Sequence, residues 1–183
     1  MAERSDEELM AAYAAGEMTA FEALYGRYRA PLYRYILRQV GDAATANDLY
    51  QGSWEKIIAA RGRYRPSAPY RAWMYRIARN HVIDHYRRSR PGTPLSPETM
   101  EAPEPGPEQL LDQAEAADRL QAAIDALPEE QREVLVLKLE AGLDLAAIAE
   151  VTGANAETAK SRLRYAVSKL RSALSANGEG DER

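Results

Sequence analysis

The chain has 183 residues, 45% of them hydrophobic, and its 24 basic and 28 acidic side chains give a formal net charge of -4. This length suits one large domain or two small ones. The absence of cysteine excludes a disulfide scaffold, a thiol nucleophile and a zinc site with thiolate ligands, and it is typical of a reducing cytoplasm. Because His81 and His85 are the only histidines, a catalytic histidine or an imidazole-rich metal centre has few candidates.

The N-terminus carries no recognisable targeting signal. Its first ten residues are acidic, and no apolar run in the chain reaches the roughly 18 to 20 residues that a bilayer-spanning helix requires. We therefore expect a cytoplasmic protein without a signal peptide and without membrane insertion.

Charge is distributed unevenly along the chain. Residues 1–93 carry a net charge of +5, residues 94–118 carry -7 and residues 119–183 carry -2. Residues 61–90 hold nine arginines and one acid, Asp84, among tyrosines and a tryptophan. Arginines that bind phosphates beside rings that stack on bases are typical of a nucleic-acid surface, although a solvated helix face would carry the same charges.

Helices are predicted from the start of the chain, and no segment alternates with the period of two that a strand requires. Ser5 with Glu8, and Thr19 with Glu22, each fit a capping box at a helix start. Pro31 is expected to break or kink the second helix, because its ring removes a backbone donor and clashes with the preceding turn.

A third and a fourth helix are predicted before residue 90. The third ends at a loop over residues 62–69, and the fourth runs over residues 70–88. Six of the ten prolines then lie between Pro91 and Pro107, where acids accumulate and periodicity disappears. This composition predicts a flexible acidic linker at residues 91–109.

The linker separates a first domain at residues 1–90 from a second at residues 110–176, with a disordered tail at residues 177–183. The second domain is predicted to begin with a helix over residues 108–126, followed by a helix with Pro128 in its first turn and a stop near Gly142.

Two further helices complete the second domain. Asp144 and Asn155 are predicted N-cap residues, the first for a short helix and the second for a longer basic helix. A short helix, a turn containing Gly153 and a basic helix together predict a helix-turn-helix, with an ordinary helical hairpin as the alternative.

The basic helix has two different faces. If its apolar residues face the core, four polar side chains project together from the opposite side: Lys160, Ser161, Arg164 and Tyr165. Such side chains can read base edges in the major groove. Thr158 and Arg162 are better placed for backbone phosphates. Residues that are merely exposed would show the same pattern.

The basic aromatic segment of the first domain suits unpaired nucleic acid. Its loop at residues 61–70 contains Gly62, Pro66 and Pro69, which could hold it open to receive an extruded base. The helix that follows could hold the neighbouring backbone. Trp73 begins an apolar stripe, so it is as readily a core residue as a DNA-facing one.

Four collinear segments resemble a known family, the extracytoplasmic-function (ECF) sigma factors of bacterial RNA polymerase. They are FEALYGRYRAPLYRYI near the start, DLYQGSWEKI at residues 48–57, RAWMYRIARNHVIDHYRR at 71–88 and ALPEEQREVLVLKLEAGLDLAAIAEVTGANAETAKSRL at 126–163. The resemblance implies an all-α fold of two small helical domains joined by the proline-rich acidic linker. The first would be the four-helix promoter-melting domain (sigma region 2), and the second the helix-turn-helix domain (sigma region 4).

The resemblance also implies three groups of site residues. Region 2 would melt and bind the -10 promoter element through Arg63, Tyr64, Tyr70, Trp73, Arg76, Arg79, Asn80, Asp84, Arg87 and Arg88. Region 4 would read the -35 element through Thr158, Lys160, Ser161, Arg162, Arg164 and Tyr165. The helix matching residues 46–60 would contact the polymerase through Asp48, Leu49 and Gln51. Gly52 departs from the family, which commonly has an acid at that position.

Expected partners are the clamp and flap regions of core RNA polymerase, promoter DNA and an anti-sigma factor. The polymerase would perform the chemistry, so no enzyme activity, cofactor or metal is expected of this chain. One alternative is a helix-turn-helix regulator that never engages polymerase. A remote one is a metal-dependent enzyme using His81, Asp84 and His85, which lie at i, i+3 and i+4 on one helix. The resemblance also implies that the linker lies in polymerase channels that otherwise hold nucleic acid, where its acidic side chains would mimic a polyanion. Alternatively, these side chains only keep a spacer solvated.

Overall fold

The computed structural model describes residues 4–89 and 108–176, and within the second range the side chains from residue 115 to residue 175. All regular structure in these two ranges is helical. None of the helices described there combines the length and apolar character needed to cross a membrane. Most of the predicted linker and the whole of the predicted tail lie outside the described residues.

Four α-helices form the N-terminal domain: α1 (Asp6–Ala14), α2 (Met18–Val40), α3 (Ala43–Ala59) and α4 (Tyr70–Ser89). The long α2 packs against both α1 and α3, and α3 packs against α4. Tyr35, Tyr70 and Tyr75 are among the largest side chains that are fully buried. Because aromatic side chains bury large areas, this small domain builds a core from few residues.

One of the two predicted capping boxes is confirmed. The Ser5 hydroxyl accepts a hydrogen bond from the Glu8 N–H at 3.2 Å, and the Ser5 N–H donates to the Glu8 carboxylate at 2.8 Å. The box predicted at Thr19 is wrong, because α2 begins at Met18 and the Thr19 hydroxyl donates instead to Glu17 at 3.2 Å. The N-cap of α2 is Glu17, two residues before Thr19, so Thr19 lies inside the helix and does not cap it.

Pro31, which was expected to break or kink the second helix, does not break it, because α2 is one helix from Met18 to Val40. Tyr28, Leu32 and Ile36 lie on both sides of the proline and are all buried. A proline inside a helix costs about 3 kcal/mol. Burial of a large apolar side chain contributes about 1.5 to 3 kcal/mol, so the buried stripe outweighs the lost hydrogen bond.

The C-terminal domain also has four helices: α5 (Glu108–Asp125), α6 (Glu129–Leu139), α7 (Leu145–Thr152) and α8 (Ala156–Ala176). Both predicted caps are confirmed, since Asp144 accepts from the Ala147 N–H at 2.8 Å and Asn155 accepts from the Thr158 N–H at 2.7 Å. Gly153 turns the chain between α7 and α8 with a φ of 71°. This left-handed conformation suits glycine, and it completes the predicted helix-turn-helix.

The two domains pack against each other. Helix α6 contacts α2, and α7 contacts α4. The buried apolar residues of both domains form one continuous cluster. We call this the closed arrangement. In this arrangement α6 covers part of α2, and α7 covers part of α4.

Candidate nucleic-acid and polymerase interfaces

Helix α8 presents the face predicted to read DNA. Ala159 and Ala166 are fully buried, and this fixes which side of the helix faces the core. Lys160, Arg164 and Tyr165 are exposed on the other side. The Arg164 guanidinium lies 5.4 Å from the centre of the Tyr165 ring. This cation–π pair gives the two side chains a shared position on the surface.

The other three residues predicted for the -35 element are less accessible. Ser161 and Thr158 are half-buried. Arg162 forms an ion pair with Glu130 of α6 at 2.6 Å. Because the Glu130 side chain is largely exposed, a phosphate could replace it as the partner of Arg162.

The residues predicted to bind the -10 element separate into three groups. Four polar ones are exposed on α4 or in the loop before it: Arg63, Asn80, Arg87 and Arg88. Asp84 is half-buried. Each of the exposed arginines can meet a backbone phosphate without any rearrangement of the protein.

The three aromatic residues of the predicted -10 site are buried in this structure, which for Trp73 is the core position that the sequence left open. Tyr64 is 5% exposed, Tyr70 1% and Trp73 9%. The Tyr64 and Trp73 ring centres are 5.2 Å apart, and the Tyr64 hydroxyl donates to the Ala68 carbonyl at 2.7 Å. Packing of rings adds about 0.5 to 1.5 kcal/mol per pair. A base could stack on these rings only after the loop around Tyr64 moves.

The remaining two arginines predicted to bind DNA contact the C-terminal domain instead. Arg79 donates two hydrogen bonds to the Glu133 carboxylate, one of them at 3.3 Å. Arg76 lies 3.5 Å from the Glu150 carboxylate. These partners are 54 and 74 residues away in the sequence. No local spacing could have revealed them.

Helix α3 carries the residues predicted to contact polymerase. Asp48 and Gln51 are exposed and lie about one turn apart. Leu49 is only 4% exposed and belongs to the core, so Asp48 and Gln51 form the accessible part of the predicted polymerase contact. A leucine between two exposed residues points to the other side of the helix, where it packs inside the domain.

Gly52 has a structural reason for departing from the family pattern. A Cβ atom at this position would lie 2.5 Å from Nε2 of His81, a distance that packed atoms do not tolerate. The imidazole of α4 therefore occupies the space where α3 would otherwise carry a side chain.

His81, Asp84 and His85 do not form a metal site. Within the described residues, no group of three or more histidine, cysteine or acidic side chains is placed to hold a metal ion. Burial lowers the pKa of His81, and the nearby Lys56 and Arg88 lower it further. The same positive charges would repel a cation, so the geometry gives no support to the metal-dependent enzyme.

Contacts from α1 position α4, and no local sequence pattern predicted them. The Tyr70 N–H at the start of α4 donates to the Glu7 carboxylate at 2.9 Å. The Asp6 carboxylate accepts from the Tyr28 hydroxyl, which also accepts from Arg71 Nε at 3.2 Å. Helix α1 thus caps α4. This helix carries five of the nine arginines of residues 61–90, which we call the basic patch.

Comparison with known proteins agrees with this two-domain organisation. The chain matches sigma-70 region 2 over residues 24–91 and sigma-70 region 4 over residues 117–170. The ECF RNA polymerase sigma factor SigL of Mycobacterium tuberculosis is 38% identical over 170 residues, which cover 88% of this chain and 92% of SigL. SigM of the same organism is 32% identical over 168 residues, covering 92% of this chain and 84% of SigM.

A solved structure shares the fold of this chain over nearly its whole length. CnrH, solved in complex with the cytosolic domain of CnrY, aligns with a TM-score of 0.71 and 25% sequence identity, over 94% of this chain and 99% of that chain. Both sigma regions are present, in the order that the sequence segments predicted. The chain therefore belongs to the ECF sigma factors of RNA polymerase, which are transcription initiation factors and not enzymes.

Proposed function

We propose that this sigma factor divides promoter recognition between its two domains, with α8 reading the -35 element and the N-terminal domain binding and melting the -10 element. The observation that carries the proposal is the exposed basic face of α8, presented by a helix-turn-helix. In the same chain, a second helical domain displays exposed arginines beside a cluster of aromatic rings.

At the -35 element, Lys160 and Arg164 are the side chains proposed to select bases. Both are exposed on the side of α8 away from the buried Ala159 and Ala166. Arginine and lysine donate to the two guanine acceptors in the major groove, which distinguishes guanine from other bases. Arg162 is proposed to exchange Glu130 for a phosphate, which positions the helix without specifying sequence.

At the -10 element, Arg63, Asn80, Arg87 and Arg88 are proposed to hold the DNA backbone. The rings of Tyr64, Tyr70 and Trp73 would act only after the loop that covers them opens. Extrusion of a base costs a few kcal/mol, and stacking at about 1 to 3 kcal/mol per base can offset it. Polymerase performs the chemistry of RNA synthesis.

Polymerase is proposed to bind the exposed face of α3 through Asp48 and Gln51, and its flap region to contact the C-terminal domain. An anti-sigma factor is a further proposed partner, because the family resemblance implies one and CnrH was solved with the cytosolic domain of CnrY. These partners would place the protein in the cytoplasm.

Run-off transcription tests the proposal. The purified chain is mixed with bacterial core polymerase and a library of random promoter templates, and the transcribed templates are sequenced. We expect two enriched elements separated by a fixed spacing. The matched variant Asp48→Arg should lose polymerase binding but keep the binding of -35 DNA. Selective DNA binding without any polymerase-dependent transcription would instead support the regulator that never engages polymerase.

A further inference from the structure

Three glutamates of the C-terminal domain meet four arginines of the N-terminal domain. Glu140, at the end of α6, receives Arg38 Nε on one carboxylate oxygen at 2.6 Å and Arg34 Nε on the other at 2.7 Å. Glu133 of α6 receives two hydrogen bonds from Arg79, and Glu150 of α7 lies 3.5 Å from Arg76. The domains therefore meet through complementary charges.

These ion pairs differ in how far they are shielded from water. The side chains of Glu140 and Glu133 are 10% and 14% exposed, whereas those of Arg76 and Glu150 are 43% and 44% exposed. A pair open to solvent contributes little, while a shielded charge that loses its partner stays desolvated without compensation. Glu133 and Glu140 are therefore the acids that hold the closed arrangement.

Two of the four arginines that pair with Glu133, Glu140 and Glu150 belong to the basic patch. Arg76 and Arg79 lie on α4, which under the proposed function binds the DNA backbone. A guanidinium offers the same donors to a carboxylate and to a phosphate, so it cannot pair fully with both. Helix α7 also packs along α4 and covers part of it. The C-terminal domain thus occupies groups that DNA would use.

The contact between the domains has the character of a reversible interface. A cavity of about 640 Å³ lies between them, lined among others by Arg71, Tyr75 and Glu140. The buried Tyr75 hydroxyl finds no hydrogen-bond partner among the described residues. Because Tyr75 lines this cavity, separation of the domains would open its hydroxyl to solvent. Interfaces between domains of one chain that are rich in polar groups commonly open.

We propose that the C-terminal domain of the free protein docks on α2 and α4 through Glu133 and Glu140 and competes there with DNA for the arginines of α4. The domains must separate before α4 can engage a promoter. The competition with DNA rests on the proposed function of α4, whereas the docking itself does not.

The absence of native cysteine allows a direct measurement of the distance between the domains. Ala23→Cys on α2 and Ser172→Cys on α8 introduce two exposed labelling sites, and spin labels there report the distance by pulsed electron resonance. We expect one short distance in the free protein and a second, longer population in Glu133→Gln/Glu140→Gln. A long, broad distribution in the unsubstituted labelled protein would overturn the proposal.

Binding of a fluorescent single-stranded DNA oligonucleotide tests the competition. We expect Glu133→Gln/Glu140→Gln to bind it at least roughly threefold more tightly at the same salt concentration. The control Glu115→Gln/Asp118→Asn removes the same charge from exposed positions on α5 that take no part in these ion pairs. Equal tightening in the control would assign the effect to net charge and contradict the competition.

A second variant tests whether an effect of the glutamate substitutions comes from the lost ion pairs or from misfolding. Arg34→Gln/Arg38→Gln removes the partners of Glu140 from the other side and should also populate the longer distance, with unchanged helix content by circular dichroism. Unchanged distances in both folded variants would overturn the docking role of these ion pairs. Since the distance needs no polymerase, a chain that is closed but inactive in transcription would contradict only the proposed function. A chain that transcribes selectively but is open when free would contradict only the docking.

Discussion

Gly52 and His81 depend on each other at the seam between α3 and α4. The glycine leaves room for the imidazole, whose Nε2 would otherwise lie 2.5 Å from a Cβ atom. Gly26, inside α2, provides a contrast, because a Cβ there would meet nothing within 4 Å. A side chain at position 52 would therefore collide with a neighbour, whereas a side chain at position 26 would not.

We predict that Gly26→Ala raises the free energy of unfolding by about 0.5 to 1 kcal/mol, because alanine is the better helix former. Gly52→Ala should lower the free energy of unfolding of the unsubstituted protein more than that of a His81→Ala variant. The difference should be at least about 1 kcal/mol. Urea unfolding of the four proteins in this double-mutant cycle measures the difference. Equal effects of Gly52→Ala in both backgrounds would contradict the packing of His81 against Gly52.

The protonation of His81 makes stability depend on pH. Burial, with Lys56 and Arg88 nearby, holds the pKa of His81 below its ordinary value of 6.5, although Asp84 acts in the opposite direction. The unfolded chain therefore takes up a proton at a higher pH than the folded one. The contribution of neutral His81 to stability is therefore intact above pH 6.5. It is lost as the pH falls from 6.5 to the pKa of His81 in the folded protein.

We accordingly expect the free energy of unfolding to fall between about pH 7.5 and about pH 5.5 by more in the unsubstituted protein than in His81→Gln. Both proteins share every other titrating group, so their difference isolates His81. Urea unfolding at the two pH values measures it. Parallel decreases in the two proteins would show that the pKa of His81 is not lowered by the fold.

Among the helices, α8 and α4 each pack against the rest of the protein through one face and leave another face for the proposed contact with DNA. Ala159 and Ala166 bury one face of α8, and its basic residues project from the opposite face. The start of α4 is fixed by Glu7, whose carboxylate accepts from the Tyr70 N–H. The orientation of each binding surface therefore depends on residues outside that surface.

We predict that Lys160→Ala and Arg164→Ala each lose about 1 to 3 kcal/mol of discrimination between a -35 sequence and an unrelated duplex. The control is Lys169→Ala, a further exposed lysine of α8. Competition binding with the -35 sequence obtained from the run-off library measures the discrimination. An equal loss on both duplexes would assign Lys160 and Arg164 to phosphate contacts.

We expect Glu7→Ala to lower the free energy of unfolding by about 1 to 2 kcal/mol, since the first N–H of α4 loses its acceptor. Glu7→Gln keeps a side-chain oxygen and should lose clearly less. Glu22→Ala, at an exposed position on α2, is the matched control. If all three variants unfold alike, Glu7 does not cap α4.

At the scale of the whole molecule, the closed arrangement joins two domains into one continuous core. Because α6 contacts α2 and α7 contacts α4, we expect the stabilities of the two domains to be coupled. The pKa of Glu140 reflects this coupling. Burial raises it, but the hydrogen bonds from Arg34 and Arg38 outweigh the burial and hold the pKa below its ordinary value.

We predict a single thermal unfolding transition by calorimetry at low salt, because unfolding of either domain removes contacts from the other. Glu133→Gln/Glu140→Gln should separate it into two transitions, while Glu115→Gln/Asp118→Asn should keep one. Two transitions in the unsubstituted protein would mean that the domains are thermodynamically independent.

Local sequence patterns were enough to predict the helices, their order and most of their ends, because these depend on contacts within a few residues. The caps at Ser5, Asp144 and Asn155 and the turn at Gly153 were predictable from local spacing alone. The exposed face of α8 followed from its 3.6-residue period. Pro31 does not break α2, because the core that holds this helix together is not a local property of the sequence.

Tertiary structure alone decided which predicted site residues are accessible. Composition could show that Tyr64, Tyr70 and Trp73 lie among arginines, but only packing shows that these rings are buried together. Likewise, nothing local in the sequence pairs Arg79 with Glu133, since 54 residues separate them. Burial and ion pairing depend on segments that are distant in the chain, and these meet only when the whole molecule has folded.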